Sequence, residues 1–133
     1  MLLNVTEENS ILKEIQEIQS YLEIEVDSGN LNNLIEYGEK VTVYLARTSK
    51  LLADAKYHQN VAKKAVMNSN INKGYSPSVL KELVNASIES ENYLVDWIER
   101  LNRACTHRVD WIRSVLSKEK EEMRLTMTGF GQK

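Results

Sequence analysis

Proline appears once in this chain, at position 77, and glycine only at 29, 38, 74, 129 and 131. So little punctuation leaves three long uninterrupted blocks and nothing with the composition of a turn-rich chain. Cysteine also appears once, which excludes an intramolecular disulfide. Cys105 sits between apolar helical positions and reads as a small buried hydrophobe rather than a nucleophile. No apolar run approaches the roughly 20 residues of a membrane span. "MLLNVTEENS" lacks both the basic start and the long apolar centre of a secretory signal, so the expected location is the cytoplasm, without a membrane partner. A P-loop, a dinucleotide-binding glycine fingerprint, a nucleophile elbow and clustered Cys or His are all missing, so neither an enzyme nor a cofactor is expected.

What is present is ordinary in amount and uneven in placement. With 133 residues, 42% hydrophobic and 27% charged, the chain is long and apolar enough to form one globular domain over 1–133. Its net charge of -2 hides a division. Residues 1–39 hold nine acids against Lys13, a balance of -8, whereas residues 40–75 hold seven bases against Asp54, a balance of +6. Either an acidic first helix lies on a basic second one and neutralises it, or part of the basic side stays open to an anionic partner.

The periodicity predicts an all-α fold, an antiparallel bundle of long helices over about 6–26, 31–69, 77–88 and 90–126. Ile11, Ile15, Ile18 and Leu22 recur at helical steps after Thr6 as cap. "DSGN" at 27–30 breaks the chain through Gly29. From Leu31 to Val66 apolar residues alternate at steps of three and four, a helix of roughly 50 to 60 Å. Gly38 falls on that apolar stripe and predicts either a close helix approach or a kink. Ser76 caps the next helix with Pro77 in its first position. Asn85, Ser87, Ser90 and Asn92 compete with helical backbone bonding and divide the rest into a short third and a long fourth helix. Helices this long on a small chain predict a homo-oligomer.

On a helical wheel, Leu94, Ile98, Leu101, Val109, Ile112, Leu116 and Met123 all lie within about 40° of Cys105. Tyr93, Trp97, Arg100, Ala104, His107, Arg108, Trp111, Val115 and Lys118 gather on one flank of that stripe, between about 60° and 160°. Trp97 and Trp111 stand about 21 Å apart along the axis, with Ala104 as a notch midway. As structure, the flank widens the apolar face toward another helix or subunit. As function, Trp and Tyr offer stacking faces and Arg bidentate donors to phosphate. On the second helix Lys50, Tyr57 and Lys64 form a row at seven-residue spacing, with Arg47 the one arginine near it. The pairs Asp54/His58 and His107/Asp110 have helical ligand spacing but not the Glu-x-x-His pattern of di-iron bundles, so no metal is expected.

The segments "YLARTSKLLADAKYHQNVAKKAV" and "ERLNRACTHRVDWIRSVLSKEKEEM" resemble small all-helical accessory proteins of tailed bacteriophages. That resemblance implies a role in DNA replication and recombination, or in blocking a host defence by binding a host protein or sequestering a nucleotide signal in the host cytoplasm. Together these readings predict a non-enzymatic binder of an anionic, nucleotide-like small molecule. Arg47, Tyr57, Trp97, Arg100, Arg103, His107, Arg108 and Trp111 are the candidate ligand-binding residues. The alternatives are a single-stranded DNA-binding protein using the same face, against which the slightly acidic net charge argues, and a protein–protein adaptor.

Overall fold

A computed structural model describes residues 3–131. Among these residues there are four helices and no strand: α1 (Glu8–Leu22), α2 (Leu31–Asn70), α3 (Pro77–Ser87) and α4 (Glu89–Gly131). The fold is all-α, and none of these helices is long and apolar enough to cross a membrane.

The largest helix contact joins α2 to α4. They run antiparallel. Gln59 Nε2 donates to Asn92 Oδ1 at 2.7 Å, Asn102 Nδ2 donates to Thr48 Oγ1 at 2.8 Å, and Gly38 lies against Ile112, so advancing along α2 retreats along α4. The predicted seam faces inward, with Leu34, Val41, Thr48 and Ala55 of α2 buried against Leu94, Ile98, Leu101, Cys105 and Ile112 of α4. Gly38 marks a close approach: an added Cβ would come within 3.2 Å of Ile112 Cγ2. The apolar stripe of α4 outlasts its partner, however. Gly38 is already near the start of α2, so the last turns of α4 run past it, and Met123, expected in the core, is 59% exposed.

α1 closes the third side. Ile11, Ile15, Ile18 and Leu22 are all buried as the spacing predicts. Full burial of each isoleucine is worth about 1.5–3 kcal/mol, an upper bound because the unfolded chain is itself partly compact. α1 is shorter at both ends than the expected 6–26, and the reasons are tertiary. Thr6 does not cap it: its N–H donates to Asp54 Oδ2 at 3.0 Å and its carbonyl accepts from His58 Nε2 at 2.7 Å, while Lys50 Nζ donates to the carbonyl of Asn4. The segment Asn4–Thr6 is thus strapped to α2 ahead of the helix. At the other end the chain leaves the helix once its apolar stripe is spent at Leu22.

The turn at 27–30 is built by Asp27 rather than by a left-handed glycine. Its carboxylate accepts from Gly29 N at 2.9 Å and its carbonyl from Asn30 N at 3.2 Å. Among the described residues only Gly74 has positive φ, at 70°. Asn30 and Ser76 cap α2 and α3 through side-chain bonds to Asn33 N and Val79 N, and Pro77 opens α3. α3 folds back on the far end of α2, with Leu80 and Val84 beside Met67. Ile88, at φ -119° and ψ 34°, separates α3 from α4 within the predicted polar segment.

Gly38→Val is expected to lower stability by about 1–3 kcal/mol through overpacking, with Ile112→Ala in the same chain recovering part of the loss; denaturant unfolding of the single and double variants checks this. Asp54 gives a second expectation. Burial raises its pKa, but hydrogen bonds from Lys50 and the Thr6 backbone outweigh that and hold it below the usual carboxylate range. A depressed folded-state pKa stabilises above the unfolded value and loses that contribution as pH falls through the folded one. Asp54→Asn should therefore cost about 1–3 kcal/mol at neutral pH, and the gap to wild type should close as the pH falls below the ordinary carboxylate range.

Candidate functional site

A concave groove lies between α4 and the C-terminal end of α1 with the loop after it. It encloses about 700 Å³ and is floored by Leu22, Leu101 and Ala104. Trp97, Arg100, Arg108 and Trp111 of α4 form one wall, and Gln19 and Glu23 to Val26 the other. This is the size range of small-molecule sites.

Helix periodicity places the α4 side chains, and α1 orients them. Trp97 is half-buried; its indole N–H donates to Gln19 Oε1 at 3.1 Å, and Gln19 Nε2 donates to Glu23 Oε1 at 2.8 Å. Tyr93 leans on Trp97 with ring centroids 6.1 Å apart. Arg108 Nη2 donates to the carbonyl of Leu22 at 3.3 Å, taking up one of the acceptors a helix end leaves open. Beside it Tyr37 is buried, its hydroxyl without a hydrogen-bond partner among the described residues; burial pushes its pKa up against the pull of the Arg108 guanidinium. Arg100 is far more exposed and pairs with Asp96 at 3.0 Å. Trp111 is 40% exposed at the opposite end from Trp97. The groove thus offers two separated aromatic faces and two guanidinium groups, with the carboxylates of Glu23 and Glu25 facing them.

Four of the eight candidate residues meet in this groove and four do not. Arg47 makes a bidentate pair with Glu14 of α1, Nε to Oε1 and Nη2 to Oε2 both at 2.8 Å, and this bond to Glu14 raises its pKa. Its job is to fasten α1 to α2. Tyr57 faces outward on α2 beside His58. Arg103 and His107 are exposed on α4 and do not line the groove. Seven-residue spacing groups side chains around a helix axis but is blind to the neighbouring helix, which is why Arg47 and Tyr57 fell outside. Gln19, Glu23, Glu25 and Val26 went unread as site residues, because nothing local in the sequence signals which part of α4 the end of α1 will meet.

Cys105 is fully buried, and burial pushes its thiol up to about 11. Of the two pairs with ligand spacing, Asp54 and His58 hold the N-terminal strap, while His107 and Asp110 are exposed. Among the described residues no group of three or more His, Cys, Asp or Glu is arranged to hold a metal ion. Compared with protein families, with curated proteins and with solved structures, the chain matches none.

The two groove arginines differ in their second duty. Arg108→Ala removes the donor to the end of α1 and is expected to cost about 1 kcal/mol, whereas Arg100→Ala, losing only an exposed ion pair, should stay within about 0.5 kcal/mol of wild type. Thermal unfolding of the two variants side by side measures the difference.

Proposed function

We propose that this protein is a non-enzymatic capture module whose α1–α4 groove takes a phosphate-bearing ligand with an aromatic ring, of the nucleotide class. The observation that carries this reading is the convergence of Trp97, Trp111, Arg100 and Arg108 on one groove of about 700 Å³ in a chain that is slightly acidic overall. Each group has a matching part of the ligand. An indole face stacks a base, a guanidinium fork donates two N–H bonds to phosphate oxygens, and the carboxylates of Glu23 and Glu25 accept from amino groups on the base edge. The two indoles are about 21 Å apart along α4, too far for one ring to touch both, which favours a ligand with two rings or one anchored at a single end.

Glu23 and Glu25 interrupt any continuous basic track in the groove, which weighs against single-stranded DNA, whose backbone needs uninterrupted positive charge.

Titration with mono- and dinucleotides, followed by tryptophan fluorescence and thermal shift, should give saturable quenching and stabilisation that grows with ligand concentration. Arg100→Ala, which leaves the fold intact, should weaken that binding by about tenfold or more, the loss of one charge-assisted pair. A steeply salt-dependent response to oligonucleotides alone would favour the DNA-binding reading. No response to either probe would reject the groove as a ligand site and leave a protein-binding adaptor.

A further inference from the structure

Outside that groove, two surfaces remain whose chemistry is complementary. The first is a hollow of about 800 Å³ between the N-terminal ends of α1 and α4, lined by Glu8, Leu12, Glu89, Tyr93 and Leu94 among others. Tyr93 is 67% exposed and Leu12 38%, and neither Glu8 nor Glu89 makes an ion pair among the described residues. The second is the outer side of α2. Tyr57, Val61 and Lys64 follow one another at helical steps there, with Lys63 beside them; Tyr57 is 44% and Val61 50% exposed. Lys63 and Lys64 are also without ion-pair partners among the described residues.

The charge division of the sequence is therefore not cancelled within the chain. Between α1 and α2 the described residues hold one ion pair, Arg47 with Glu14; Lys50 pairs within its own helix and Lys56 reaches Glu99 of α4. Acid around an apolar hollow on one side and base around an apolar stripe on the other is the pattern of an interface whose two halves sit on different copies. Burying Tyr57 and Val61 against Leu12 and Tyr93 supplies the apolar centre, and the Lys–Glu contacts at its edge supply register and orientation.

We infer that this chain associates with itself head-to-tail, the Tyr57–Val61–Lys64 stripe of one copy seated in the Glu8–Glu89 hollow of the next. Because the two patches differ, the contact is heterologous, and each copy carries one free half for the following one. No groove-lining residue belongs to either patch, although Tyr93 of the hollow packs on Trp97 of the groove.

Sedimentation of the full chain tests this. Wild type should associate in a concentration-dependent way, less so as salt rises. Lys63→Glu/Lys64→Glu and Glu8→Lys/Glu89→Lys should each weaken association about tenfold or more, while the two variants mixed should recover it, since each supplies the half the other has lost. That recovery also separates a broken interface from a misfolded chain. A wild type that stays monomeric at every concentration, or association that neither double variant disturbs, would overturn the inference. Tryptophan titration of the same variants reports the ligand groove independently.

Discussion

Two helices of about 60 Å can lie side by side only if no side chain holds them apart, and at Gly38 the approach to Ile112 is close enough that an added Cβ would come within 3.2 Å of its Cγ2. A residue that would weaken an isolated helix is used for what it lacks. The same seam is tied by polar bonds in its middle, where one amide, Asn102 Nδ2, reaches Thr48 Oγ1, Ser49 Oγ and the Leu45 carbonyl. A half-buried amide bonded across the seam resists sliding in a way that leucines do not, because a shift would break its bonds to Thr48, Ser49 and Leu45. Close packing at one end and hydrogen bonding in the centre thus fix the register of α4, and with it the azimuth of every residue on its flank.

α1 rides on that frame and is held by a different kind of contact. Its four buried apolar residues give the affinity, while Arg47–Glu14, Trp97–Gln19 and Arg108 on the Leu22 carbonyl set its position along the frame. Only after α1 is placed does the α4 flank acquire an opposite wall. The aromatic and cationic side chains of the groove all stand on α4, but its second wall, Gln19 and Glu23 to Val26, exists only through tertiary packing.

This division explains what could be read in advance. Steps of three and four residues determine which side of a helix is apolar, so Ile11 to Leu22, the α2 seam and the α4 stripe as far as Leu116 were legible, as were the breaks at Asn30, Ser76 and Ile88. The grouping of Trp97, Arg100, Arg108 and Trp111 follows from the same periodicity. Periodicity does not say where a partner helix stops, and so Met123 extended the stripe on paper beyond the start of α2. Nor does it pair distant charges. Glu14 meeting Arg47, and Asp54 meeting the backbone of Thr6, depend on an antiparallel packing that no local pattern encodes.

Several groups lining the groove are already in use. Arg108 closes the last turn of α1, and Gln19 holds the Trp97 indole while bonding Glu23. The Arg108 donor and the Gln19 acceptor that line the cleft are the same atoms that keep the N-terminal helix seated on α4. The doorframe of this cleft is thus held by the cleft's own lining, and any displacement of Arg108 or Gln19 would loosen α1 without a separate hinge.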